Sequence, residues 1–264
     1  MRKSTYSEMI KWARIFVLFS FLPTSGCLYL NIASQDTAVP VYPKRLDASV
    51  APSFGVCISD TYYSGDDVDT EDAGDDVVRS TIVFGGKAAI GVNPRLDVIA
   101  SLSGTEYTSN SRTDNIVRSE YSKSTHYKLG AKYLIWQEGK LYFSVLPSVY
   151  TADGYHSGVK HDHTKFRNDF TARGLEAQCL YTYKPFDFFS ATAVARAQYN
   201  HFSKTLEGTE YGPYSTFNYG IRGNIRLSAG GFHITPEIGV EFLPITNGST
   251  SVNPMASLGF GVQL

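Results

Sequence analysis

The sequence predicts an all-β fold, a closed antiparallel up-and-down transmembrane β-barrel of ten strands, and three observations carry that expectation. From about residue 48 to the C-terminus, apolar or aromatic residues alternate with polar ones, which is the period of a strand with two unlike faces. Tight turn-forming stretches alternate with longer polar stretches, so all the short connections fall at one end of an up-and-down meander. The strand number is even, which lets the last strand pair with the first and removes the sheet edges. Composition agrees: 18 Tyr and 16 Phe in 264 residues suit strands, and no segment shows the i, i+3, i+4 apolar spacing of a long amphipathic helix. A net charge of -1 with 19% charged residues gives no basic surface for nucleic acid.

The chain divides into a signal peptide at residues 1–26, an N-terminal linker at 27–47 and the barrel at 48–264. Arg2, Lys3, Lys11 and Arg14 precede an apolar run at residues 15–22, the form of an export signal. That run is shorter than the roughly 20 residues an ordinary transmembrane helix needs. Thr24, Ser25, Gly26 and Cys27 resemble a bacterial lipobox, although Leu is usual where Thr24 stands. The resemblance implies that Cys27 is acylated and becomes the first mature residue; ordinary cleavage around Ala33 is the alternative. The Pro-containing stretch at residues 35–47 reads as linker.

The first strand, 48–59, turns Phe54, Val56 and Ile58 to one face, and the second, 79–92, turns Ile82, Phe84, Ala88, Ile90 and Val92. The third, 95–106, carries Leu96, Val98, Ala100 and Leu102; the fourth, 119–136, carries Tyr127, Leu129, Ala131, Tyr133 and Ile135. Strand five, 140–152, has Leu141, Phe143, Val145 and Val149, and strand six, 168–184, has Leu175, Ala177, Cys179, Tyr181 and Tyr183. Strand seven, 188–202, alternates Ala191, Ala193, Ala195, Ala197 and Tyr199 with polar residues, and strand eight, 214–228, does so with Phe217, Tyr219, Ile221, Ile225 and Leu227. Strand nine, 231–244, presents Phe232, Ile234, Ile238, Val240 and Phe242, and the tenth, 256–264, presents Ala256, Leu258, Phe260, Val262 and Leu264. Pro147 and Pro236 fall inside strands five and nine, where a residue without an N–H calls for a bulge or a shifted register. Cys57 and Cys179 fall on opposite faces, so no disulfide between them is expected.

Tight turns are expected at residues 93–94, 137–139, 185–187 and 229–230, and long loops at 60–78, 107–118, 153–167, 203–213 and 245–251. Bacterial outer-membrane barrels have this design, with tight periplasmic turns, longer external loops and an apolar outer band, and the resemblance covers residues 48–264 at the level of the whole class. The closing stretch is also similar to the C-terminal assembly signal of such barrels, with Leu264 where Phe is usual. Aromatic residues collect near the strand ends as in interfacial girdles: Tyr107, Tyr121, Tyr150, Tyr199 and Tyr214 toward the loops, and Trp136, Tyr181, Tyr183, Phe188 and Phe232 toward the turns. The expected location is the bacterial outer membrane.

The opposite face gathers Lys87, Asp97, His126, Lys128, Lys132, Glu176, Arg196, Arg222, Arg226, Glu237 and Glu241, a candidate lumen charge network that plugs the barrel or filters ions. A two-residue turn at Ala229-Gly230 sets Arg222 opposite Glu237 and Arg226 opposite His233. A three-residue turn centred on Phe186 sets Arg196 opposite Glu176. The acidic stretch at residues 66–76 fails the helix-loop-helix calcium pattern, since with Asp69 first and Gly74 sixth, Ala73 and Ser80 fill places that need oxygen-rich ligands. His156, His161, Asp162 and His163 pair base-type and carboxylate side chains in one loop. The chain is similar to the omptin family of outer-membrane proteases in strand number, and their Asp-His motifs are not matched residue by residue. The reading is therefore a non-enzymatic barrel with a structural or surface-binding role. A loop-end hydrolase and a narrow small-solute channel are the alternatives. Its partners would be outer-membrane lipid and a surface ligand or host partner, not nucleic acid. No catalytic residue, cofactor or metal is assigned.

Overall fold

The computed structural model describes residues 36–41, 43–55, 78–113, 116–159, 165–206, 209–244 and 250–264. The ten strands are β1 (Leu46–Gly55), β2 (Val78–Asn93), β3 (Leu96–Thr113), β4 (Ile116–Glu138), β5 (Leu141–Val159), β6 (Lys165–Phe186), β7 (Phe189–Leu206), β8 (Thr209–Ala229), β9 (Phe232–Pro244) and β10 (Thr250–Gln263). They form a closed antiparallel barrel in which each strand pairs with its chain neighbours and β1 pairs with β10. At the seam Leu46 N–H donates to the Leu264 carbonyl at 3.1 Å, and Leu264 N–H donates to the Leu46 carbonyl at 2.8 Å. The terminal residue thus satisfies the edge of the first strand.

Alternation places the side chains as the period of two requires. Phe84, Ile90, Val98, Leu102, Leu129, Leu175, Ile221 and Phe232 lie exposed on the outside, while Asp97, His126, Glu176, Arg196, Arg222 and Glu237 are buried inside. Tyr150 is a correction: it points into the lumen, where its hydroxyl donates to Asn200 Oδ1, and is no part of an outer girdle. The side chains of Tyr107 and Tyr214 lie outside the described residues.

All four tight turns occupy two residues, Pro94–Arg95, Gly139–Lys140, Asp187–Phe188 and Gly230–Gly231, because Asn93 pairs with Leu96, Glu138 with Leu141, Phe186 with Phe189 and Ala229 with Phe232. Gly230 and Gly231 hold φ of 58° and 90°, a left-handed pair that a tight hairpin favours and that an Ala229-Gly230 turn does not provide. The register is therefore two residues away from the expected one. Arg222 faces Gly239, Glu237 faces Asn224, His233 faces Ser228, and Arg196 faces Gln178. Inward parity survives, because a shift of two keeps every side chain on its face.

Three strand prolines are accommodated without a change of register. Pro52, Pro147 and Pro236 keep their places opposite Phe84, Ala177 and Leu258 in one ladder. In the other ladder each faces a gap two pairs long, after which pairing resumes in the same register. The missing N–H falls where no ladder bond is asked of it.

Three of the five expected long loops, 107–118, 153–167 and 203–213, are mostly strand, while most of 60–78 and of 245–251 lies outside the described residues. β3 and β4 run on to Thr113 and from Ile116, β5 and β6 to Val159 and from Lys165, and β7 and β8 to Leu206 and from Thr209. These extensions are rich in Thr, Ser and Gly and carry no regular apolar alternation in sequence, yet they pair as hairpins.

Candidate functional site

The lumen holds a segment of the chain itself. Residues 36–41, in the stretch that reads as linker, lie inside the barrel, and Asp36, Thr37, Ala38 and Val41 are buried there. Lys44 takes a φ of 67° and donates its N–H to the Gly91 carbonyl at 3.0 Å, turning the chain out of the lumen and into β1. Wall side chains bind the segment's backbone: Asn224 Nδ2 donates to the Asp36 carbonyl at 3.0 Å, and Lys132 Nζ donates to the carbonyls of Thr37 and Val39 at 3.0 and 2.8 Å. Ala38 N–H donates to Thr182 Oγ1 at 2.8 Å, Ser144 Oγ donates to the Ala38 carbonyl at 2.7 Å, and Val41 N–H donates to the Asp97 carboxylate at 3.0 Å. Lys87 Nζ closes the set on Asp36 Oδ1 at 2.7 Å.

Packing explains why the segment stays. Ala38 and Val41 join one apolar cluster with the inward Ala89, Ile99, Leu146, Leu180 and Val194, and Tyr142 packs against it. Such a ring inside a polar lumen would face water if nothing covered it. The sequence signal was present, since Ile99, Leu146, Leu180 and Val194 are apolar residues in the polar phase of their strands. Alternation counts those positions as exceptions, and only closure shows that they meet.

The charged candidates form separate assemblies. Lys128 Nζ bonds Glu176 Oε1 at 3.0 Å, and Arg196 reaches Glu176 at 2.5 Å and Glu241 at 2.7 Å. Arg222 continues the chain to Glu241 at 2.5 Å and to Glu237 at 3.5 Å. Gln178 and Gln198 complete it, the first donating to Glu176 and the second accepting from Arg196. Lys132 and Arg226 stand apart from this chain. Lys132 pairs with Asp97 at 2.9 Å beside residues 36–41, and Arg226 pairs with Asp47, which also bonds His233 at 3.2 Å. His126 meets Ser124 at 2.9 Å, a nucleophile type beside a base type, but among the described residues no carboxylate orients that imidazole.

Glycines set opposite the long side chains make the assemblies possible. A Cβ on Gly239 would stand 2.7 Å from Arg222 Cγ, and one on Gly220 would stand 3.1 Å from Glu241 Cγ. Each long side chain lies across a strand neighbour that has no side chain of its own. This small-to-large match is the physical content of the observed register.

Outside, the apolar belt runs over residues 127–135 of β4 and 175–183 of β6, ending at exposed Lys123 and Arg173 on the loop side. That matches the roughly 9–11 residues a tilted strand needs to cross a hydrocarbon core. A closed barrel with an apolar belt and a charged interior belongs in a bilayer. The chain has the architecture of a bacterial outer-membrane β-barrel.

No family model matches the sequence, and no curated protein matches it. Among solved structures this barrel is similar in fold to the outer-membrane protease OmpT from Escherichia coli, at 7% identity and a TM-score of 0.45, covering 87% of this chain and 98% of that one. It is similar also to the translocator domain of the autotransporter NalP from Neisseria meningitidis, at 12% identity and a TM-score of 0.49, with 83% and 87% covered. An outer-membrane channel from Pseudomonas putida F1 matches at 11% identity and a TM-score of 0.41, with 89% and 100% covered. The likeness is one of fold alone. Cys27, the acidic stretch at residues 66–76 and the trio His161, Asp162 and His163 lie outside the described residues, as does the side chain of His156.

Proposed function

We propose that this outer-membrane barrel is a closed, non-enzymatic element of the envelope, acting through what it presents beyond the membrane and not by passing solutes. One observation carries the reading: residues 36–41 and the ion-pair chain from Lys128 to Glu237 both occupy the lumen, and most of their side chains are buried. A narrow ten-stranded lumen can be filled by long side chains, whereas 16 to 18 strands leave an aqueous channel. The polar hairpins of β3 to β8 extend past the belt on the loop side and supply a surface for a ligand or host partner. Acylation of Cys27 would add a second anchor in outer-membrane lipid.

Planar bilayers containing the purified full chain test the closure. Little or no steady conductance is expected, and large, stable single-channel currents would put the channel reading first. Mass spectrometry of the mature N-terminus tests the anchor: an acylated Cys27 supports it, and an unmodified N-terminus beyond Cys27 refutes it.

A further inference from the structure

The contacts of residues 36–41 with the wall are of an unusual kind. The wall side chains bind backbone atoms: the carbonyls of Asp36, Thr37, Ala38 and Val39 and the N–H groups of Ala38 and Val41. Five wall residues on five strands do this, namely Asp97, Lys132, Ser144, Thr182 and Asn224. Pro40, with no N–H to offer, stands between the Val39 carbonyl and the Val41 N–H that the wall does bind. Backbone recognition is indifferent to most side chains, and selectivity then falls to the few that are enclosed. Ala38 is 0% exposed and Val41 4%, both within the apolar cluster; Asp36 and Thr37 are buried as well, the Asp36 carboxylate on Lys87 Nζ, whereas Val39 is half-buried.

We propose that the turn-end half of the lumen is a binding site for a short bent peptide, recognised mainly through its backbone, with a carboxylate at the place of Asp36, a small side chain at the place of Ala38 and a compact apolar one at the place of Val41. Residues 36–41 fill that site in cis, and it accepts a peptide of the same chemistry in trans when the cis segment is expelled. The inference deepens the closed-barrel reading and rests on it. The wall's inward apolar ring and its five polar residues are then one site, built around a stretch of peptide that pairs with no strand. Lys132 serves both parts, held by Asp97 at 2.9 Å while donating to two carbonyls of the peptide.

The test expels the segment by size and charge with Ala38→Trp and Val41→Glu in the full chain, refolded in detergent, its β-sheet content and heat resistance checked. A capped, fluorescent peptide with the sequence of residues 36–41 is then titrated and its anisotropy followed. Saturable binding to the double variant and none to the unmodified protein is expected. Adding Thr182→Val or Ser144→Ala to the double variant should weaken the peptide by roughly tenfold, the scale of one buried hydrogen bond lost. A folded double variant that does not bind, or that binds a peptide carrying Trp at the place of Ala38 equally well, overturns the proposal. A second measurement needs no expelled variant: amide exchange in the unmodified protein should be slow at Ala38 and Val41, and Thr182→Val should speed Ala38 selectively. Fast exchange at both amides would overturn the proposal even if the double variant does not fold. Conductance of the unmodified protein tests closure by a separate readout, so the two ideas fail separately.

Discussion

Arg196 shows what a single residue does in this lumen. Its guanidinium bonds Glu176, Glu241 and Gln198 at once, and all four side chains are buried. Taking charges out of water costs free energy that only complete pairing offsets, so deleting the shared cation leaves two carboxylates confined without their main partner. Arg196→Ala should therefore destabilise the folded barrel by about 3–5 kcal/mol, measured by urea unfolding in detergent or lipid. A change below ~1 kcal/mol would mean that the lumen carboxylates are hydrated. Gly174 makes the steric version of the argument. A Cβ there would lie 2.2 Å from the Tyr199 carbonyl oxygen and 2.4 Å from the Tyr150 hydroxyl. Because one of those atoms is backbone, the strain cannot be relieved by a side-chain rotation alone. Gly174→Ala is expected to cost about 1–3 kcal/mol, as overpacking does, in the same unfolding measurement.

At the scale of the strand, the belt and the proline gaps make opposite predictions. Ile221 is 59% exposed in the middle of the belt, so Ile221→Arg should cost about 2–4 kcal/mol in a bilayer. Lys123, beyond the belt on β4, should tolerate Lys123→Gln within about 0.5 kcal/mol, as a solvated surface position does. Equal effects at the two positions would misplace the membrane on the barrel. Pro147 and Pro236 each face a gap in one ladder, and Pro→Ala there breaks no ladder bond. Their alanine variants should stay within about 1 kcal/mol of the parent, the net worth of one hydrogen bond. A loss of several kcal/mol would show that proline's rigidity, and not a tolerated gap, is what these positions use.

For the whole molecule, closure has two parts along the lumen, and that changes how conduction responds to mutation. Arg222→Ala breaks the ion-pair chain at Glu241 and Glu237, yet leaves residues 36–41 bound by Asp97, Lys132, Ser144, Thr182 and Asn224. The single variant should therefore stay nearly silent in planar bilayers, and Arg222→Ala together with Ala38→Trp and Val41→Glu should conduct. Steady current from Arg222→Ala alone would show that the ion-pair chain is the main barrier. Silence of the combined variant, with its fold verified, would place the barrier elsewhere in the lumen.

The sequence by itself determined the barrel. A period of two, sustained over ten strands with turn residues between alternate pairs, specifies strand number, antiparallel order and which face each side chain takes, because these depend only on neighbours along the chain. It therefore placed Glu176, Arg196, Arg222 and Glu241 inside before any register was known. It misplaced each tight turn; for the last hairpin the reasons are which residues reach left-handed φ and what the side chains meet across the strand. Gly230 and Gly231 settle the first of these, and the fit of Arg222 over Gly239 settles the second. It also ended β3 to β8 early on the loop side, because the apolar alternation lapses there although strand pairing continues. Only the tertiary structure decided that residues 36–41 lie in the lumen. A segment that pairs with no strand has no period to betray it, and the groups that hold it are scattered from Asp97 on β3 to Asn224 on β8. They come within hydrogen-bonding reach of one another's ligand only once the barrel has closed.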